Sequence, residues 1–303
     1  MSNSQNSTVQ DQADSLRAMG NELAKNGTKD QVESTTRVYA ITSGKGGVGK
    51  TAVVANTAVS LALIGKKVLI LDADLGLANI DVVFGLAPKY NLNHFFSGDR
   101  ALADILVSGP HGIQILPAGS GVQNFTRLDS NQKLKLLDGL DSMHNDFDFV
   151  LIDTEAGISE NVTYFNTAAQ EILVITTPDP TAITDAYALM KLLSTQYHEK
   201  SFNLVVNQTQ NENEALDVYR KLTMVSNRYL DISIDFLGSI PADKQMVEAI
   251  RKQRVMVDIF PASKIASAFG QLAATISSEQ APATPKGGVQ FFWKRLLDIG
   301  GRG

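Results

Sequence analysis

The run Gly44-Lys45-Gly46-Gly47-Val48-Gly49-Lys50-Thr51 leaves few folds open to the chain that carries it. It follows a short apolar, β-branched stretch, Arg37–Thr42, and opens an Ala/Val-rich helical pattern from Lys50 to Leu63. A strand, a glycine turn and a helix N-terminus in that order form a phosphate-binding loop. Glycines admit positive φ, so successive backbone N–H groups can converge on one anion, and the helix dipole adds to their pull. In such a loop the main chain from Gly44 to Ala52 lines the phosphates, Lys50 reaches the β- and γ-phosphates, and the Thr51 hydroxyl takes Mg²⁺. The alternative, a glycine-rich turn with no ligand, is disfavoured by the length of the match and by its place between strand and helix.

The rest of the chain supplies the scaffold such a loop needs. Arg37–Thr42, Lys67–Leu71, Gly112–Leu116, Phe147–Ile152, Glu171–Thr176, Phe202–Val206 and Ile234–Ile240 read as strands. They are continuous in their apolar character, as strands covered on both faces are. Helical patterns at Lys50–Leu63, Asn131–Met143, Ala182–Gln196 and Glu214–Arg228 lie between most of them. The alternation predicts an α/β fold with a mostly parallel, twisted sheet flanked by helices. Four zones follow: a flexible polar tail over 1–36, the α/β domain over 37–278, a Pro/Gly linker over 279–289, and an amphipathic helix over 290–303.

Composition removes several functions. Lys plus Arg number 27 against 32 Asp plus Glu, a net charge of −5, which does not advertise a domain that grips nucleic acid by bulk charge. The chain has no cysteine, so disulfides, thiolate metal sites, iron–sulfur ligation and cysteine nucleophiles are excluded together. No stretch approaches the roughly 20 apolar residues of a spanning helix. The polar, acidic start reads as neither a signal nor a transit peptide. A cytoplasmic protein, reversibly held at the inner face of the membrane, is the expectation.

Carboxylates stand where this chemistry wants them, at the ends of strands. Asp72 and Asp74 follow the second strand, and Phe147–Ile152 ends in Asp153, with Glu155 and Gly157 just beyond. Lys45, a second lysine inside the loop, completes the deviant pattern KGGxGK[ST], and with it the chain resembles the MinD/ParA group of P-loop ATPases. That resemblance implies ATP/ADP and Mg²⁺ as ligands and an ATP-bound homodimer in which Lys45 crosses to the partner subunit's nucleotide. A cation there would stabilise charge developing on the transferred phosphoryl group. The same resemblance makes Asp74 the residue that orients the attacking water. Asp72 supports the metal shell, Asp153 holds a Mg²⁺-bound water, and Asn207, Pro241 and Asp243 frame the adenine. No NKxD guanine motif is present at these strand ends, so ATP is favoured over GTP. Glu155 stands where MinD carries Pro, which leaves the conformation after Asp153 open.

The two ends extend the resemblance. Phe292, Leu296 and Ile299 fall at i, i+4 and i+7, with Trp293 and Leu297 widening the stripe, Phe291 beside it, and Lys294 and Arg295 on its flanks. Such a helix suits an anionic membrane surface, or a terminal helix docked on its own core. Near the other end, Asp11, Gln12, Ala13, Leu16 and Arg17 match the activator segment of the FlhG/FleN family, and Leu71–Gly85 (LDADLGLANIDVVFG) is similar to that family's sequences. The resemblance implies a regulator of flagellar number that works through the SRP-type GTPase FlhF and a FleQ-type transcription activator, with no direct nucleic-acid contact. A cell-division or partition ATPase of the same fold, and a regulatory module with ATP as a structural ligand, are the alternatives.

Overall fold

β1 (Arg37–Ser43) is buried along its whole length, and its side chains alternate between two cores. Tyr39 and Ile41 point into one, Val38 and Ala40 into the other. This is why the strands lack a polar face: each side of the sheet is roofed by helices. The computed structural model describes residues 36–74, 79–117, 135, 139 and 146–278. The segments holding Asp11, Gln12, Ala13, Leu16 and Arg17, and Phe291, Phe292, Trp293, Leu296, Leu297 and Ile299, lie outside the described residues. So do residues 75–78 and most of the helix expected over Asn131–Met143, of which residues 135 and 139 are helical.

In chain order, β1 leads through α1 (Lys50–Leu63) to β2 (Val68–Ala73). Three short helices follow, α2 (Ile80–Phe84), α3 (Leu92–Ser97) and α4 (Leu102–Ile105), then β3 (Val107–Ser108) and β4 (Gln114–Pro117). The larger half contains β5 (Phe149–Ala156), α5 (Glu160–Ala168), β6 (Glu171–Thr176), α6 (Pro180–Tyr197), β7 (Ser201–Thr209), α7 (Glu212–Tyr229) and β8 (Ser233–Pro241). It closes with α8 (Lys244–Arg251), α9 (Met256–Ile259) and α10 (Lys264–Ser278). The sheet order is β3-β4-β2-β5-β1-β6-β7-β8, parallel throughout except for the β3–β4 pair.

This order places the functional end. The chain leaves β1 to one side to build β2, whereas β5 is followed across β1 by β6. The carboxyl ends of β2, β5 and β1 therefore open into a crevice at the switch of direction, where open α/β sheets bind ligands. α1 runs beneath it and is buried from Ala52 to Leu61, packed on the sheet with α10. The strand expected over Gly112–Leu116 begins later, at Gln114, because Pro110–Gly112 forms a 3₁₀ turn with Gly112 at φ +82°.

Candidate functional site

The loop after β1 has the backbone an anion nest requires. Gly47 and Gly49 take φ of +82° and +86°, and Gly49 is the N-cap of α1 with no side chain capping the first turn. The helix therefore presents free N–H groups toward the crevice. At Gly49 a Cβ would also meet Asn207 Nδ2 at 2.5 Å, and at Gly44 it would meet the backbone carbonyl group of Asp185 in α6 at 2.2 Å. Gly44 thus serves a close approach between the loop and α6. The crevice itself is a cavity of about 710 Å³ walled by residues 45–52, by Asp74 and Glu155, and by Val82, Val83 and Ile250. That volume lies within the range of small-molecule sites.

Lys50 occupies the first turn of α1, is buried, and its Nζ lies 2.5 Å from Asp153 Oδ1. Asp153 ends the apolar run of β5, and its Oδ2 is buried with no hydrogen-bond partner among the described residues. Asp72 sits across from it in the parallel register of β2 and β5. Its carboxylate accepts the N–H groups of Asp74 at 3.2 Å and Ile80 at 3.4 Å. Burial, and then the neighbouring Asp153 charge, push the Asp72 carboxyl up to about 7 despite those two bonds. Two neighbouring buried carboxylates, of which Asp153 pairs with Lys50, are short of positive charge, and the unpartnered Asp153 Oδ2 is a place for a cation. The donor set therefore fits Mg²⁺ with a phosphate ligand. Among the described residues no three His, Asp or Glu side chains form a ready-made metal cage.

Lys45 points elsewhere. Its side chain is 42% exposed, and Nζ donates to Thr181 Oγ1 at 2.5 Å, with Asp179 Oδ1 at 3.8 Å, at the N-terminus of α6. Asn207, Pro241 and Asp243 gather at the paired ends of β7 and β8, but none of them walls the cavity. Asn207 Nδ2 donates to the carbonyl of Val48 at 2.7 Å. Asp243 accepts from Gln245 N–H at 2.8 Å as the N-cap of α8. Glu155 faces the cavity while its oxygens accept from Ser159 Oγ at 3.0 Å and Asn161 Nδ2 at 3.3 Å. Nothing in the sequence marks Val82, Val83 or Ile250 as walls, or pairs Lys45 with Asp179 and Thr181. The Asp-Pro-Thr start of α6 was visible as a capping signal.

Comparison with known proteins identifies the family. The family model described as "ParA: NUBPL iron-transfer P-loop NTPase" matches residues 34–277; the iron transfer in that description has no thiolate to use in a chain without cysteine. The antiactivator FleN of Pseudomonas aeruginosa is 42% identical over 86% of this chain and 93% of its own. The flagellum site-determining protein YlxH of Helicobacter pylori is 33% identical over 88% and 91%. Among solved structures, the septum site-determining protein MinD of Pyrococcus horikoshii, complexed with Mg-ADP, superposes with a TM-score of 0.62 at 28% identity, covering 80% of this chain and 96% of its own. Loop, strand-end carboxylates and relatives converge on one assignment: the chain belongs to the ParA/MinD family of P-loop ATPases and is similar, within it, to the FlhG/FleN type.

Proposed function

We propose that this ATPase is a nucleotide-driven switch that limits the number and sets the placement of flagella. The observation that carries the reading is the likeness to FleN over most of both chains, joined to a complete phosphate-binding loop. ATP binding favours a homodimer, and hydrolysis separates it. The tail over 1–36 engages an SRP-type GTPase of the FlhF kind through Asp11, Gln12, Ala13, Leu16 and Arg17. A FleQ-type transcription activator is the second partner. The helix over 290–303 places Phe291, Phe292, Trp293, Leu296, Leu297 and Ile299 on anionic lipid, a contact that two copies held together strengthen by avidity.

The residues divide the work. The N–H groups of the loop and of the first turn of α1 bind the triphosphate, and Lys50 turns from Asp153 toward the β- and γ-phosphates. Mg²⁺, which neutralises phosphate charge when bound, would be held by Thr51 directly and by Asp153 and Asp72 through water. Asp74, at the cavity wall, orients the water that attacks, and Lys45 reaches the second copy's nucleotide. No helix of the described residues is long and apolar enough to cross a membrane; attachment in this reading is peripheral.

Solution mass with ADP and with a non-hydrolysable ATP analogue tests the switch. One chain with ADP and two with the analogue is the expected result, and Asp74→Ala should hold the two-chain state in ATP itself. An identical mass in all three conditions overturns it. Removing residues 289–303 should weaken liposome sedimentation, and removing residues 1–20 should spare ATP hydrolysis while losing stimulation of the GTPase.

A further inference from the structure

We infer that Glu155 is a specificity-determining residue of the nucleotide cavity: its carboxylate, fixed on the wall, disfavours the third phosphate and shifts the preference of the single chain toward diphosphate. This deepens the nucleotide-binding reading and rests on it. At the end of β5, Asp153 pairs with Ile41 of β1 and Ala156 pairs with Ser43. β5 therefore carries one residue more than β1 over this stretch, which makes a bulge. Bulges re-aim side chains at strand ends. Glu155 lies inside this one and walls the cavity together with the loop and Asp74.

The carboxylate is held there by neutral groups. Oε2 accepts from Ser159 Oγ at 3.0 Å, and Oε1 accepts from Asn161 Nδ2 at 3.3 Å. Both donors stand at the start of α5, Ser159 as its N-cap, and the helix is anchored by burial from Val162 to Ala168. Among the described residues no lysine, arginine or histidine forms an ion pair with Glu155. The two lysines of the loop are engaged elsewhere, Lys50 with Asp153 and Lys45 with Thr181 and Asp179. Glu155 therefore faces the cavity as a positioned anion with no cation set against it.

The phosphates meet this charge unequally. The loop N–H groups and the first turn of α1 take the inner phosphates. The third lies beyond them, on the side of the strand ends where Lys50 reaches it, and it brings the additional negative charge. Repulsion from a carboxylate on that wall falls mainly on this phosphate, in a cleft where fields are screened less than in open water. A diphosphate has no group at that position.

Equilibrium binding of Mg-ADP and of a non-hydrolysable Mg-ATP analogue to the full chain makes the comparison, at a protein concentration where sedimentation shows one chain with either ligand. Glu155→Gln keeps the length of the side chain and an acceptor oxygen, and removes the charge. It should tighten the analogue about three- to tenfold and leave ADP nearly unchanged, so the ratio of the two dissociation constants moves toward triphosphate. Glu155→Ala, which removes the charge and both bonds, should move the ratio the same way. A residue that only fastened α5 would shift the melting temperature and the two ligands alike, and its ratio would stay at the parent's value. That unchanged ratio overturns the inference. So does an analogue bound more weakly by Glu155→Gln, which would make the carboxylate an attractive contact of the Mg-triphosphate. A parent that binds neither ligand overturns the nucleotide reading instead.

Discussion

Lys50 Nζ stands 2.5 Å from Asp153 Oδ1, and the two side chains are 7% and 1% exposed. The lysine is therefore the counter-ion of a carboxylate that would otherwise be a bare buried charge beside Asp72. Removing one member of such a pair costs about 3–5 kcal/mol. Lys50→Met should lower the melting temperature of the nucleotide-free protein by roughly 6–12 °C and abolish ATP binding. Adding Asp153→Asn should restore most of the stability and none of the binding. Thermal unfolding and calorimetry on the single and double variants check both parts; a Lys50→Met protein that melts with the parent would remove the counter-ion role.

That pair also shows what a sequence displays and what it conceals. Asp72, Asp153 and the turn from Ser43 to Lys50 are legible because each lies where an apolar strand stops, and the parallel sheet brings those ends together. The direction of Lys45 and the partner of Asn207 are not legible, since they depend on residues 136 and 159 positions away. Helix α5 escapes for a different reason: its nine residues make little more than two turns, too few to separate a helical period from a buried run, and they are buried continuously from Val162 to Ala168. The two-residue edge strand β3 is too short for any alternation.

The raised Asp72 carboxyl gives the protein a pH dependence of definite sign. Unfolded, the group titrates near its ordinary 3.8; folded, burial and Asp153 move it to about 7. Between those values the native form holds a proton that the unfolded chain releases. Stability from this group is thus fully present below about pH 4, falls as pH rises toward 7 by up to about 1.4 kcal/mol per unit, and is level above that. Melting temperatures of the nucleotide-free protein should fall from pH 5 to pH 7. Asp72→Asn should flatten that slope, and an equal slope in the variant would refute the assignment.

At the far end of β1, Arg37 ties the sheet to the last described helix. Its Nε and Nη2 donate to Glu171 Oε1 at 2.9 and 2.6 Å, its Nη1 to the Ile276 carbonyl at 2.5 Å, and the Tyr39 hydroxyl accepts from Nη2. Arg37→Ala leaves Glu171 buried without its cation and should cost about 3–5 kcal/mol. Arg37→Lys should recover little, because an ammonium cannot fork between these acceptors. The strand separates this clasp from the loop by about 20 Å, so ATP affinity should hold while the melting temperature drops. A parallel fall in affinity would mean that the clasp reaches the site.

Lys45 offers the last test. In the single chain its Nζ is engaged by Thr181, whose hydroxyl in turn donates to Asp179 Oδ1 at 2.5 Å. The Thr181 hydroxyl bond, followed by the Ala182 and Thr181 N–H groups, holds the Asp179 carboxyl below its ordinary value, with the Lys45 charge a smaller contribution. Asp179 is thus committed to capping α6, and Thr181 is the removable part of the contact. In the proposed switch Lys45 reaches a second copy's nucleotide and has to leave this place first, so the contact would oppose dimer formation once in each protomer. Being exposed, it opposes it weakly. Thr181→Ala should therefore tighten the ATP-analogue dimer by a few-fold while leaving single-chain nucleotide affinity unchanged, as sedimentation across a concentration series would read. An unchanged or weaker dimer would show that Thr181 does not restrain Lys45, and a dimer absent from parent and variant alike would strike at the switch itself.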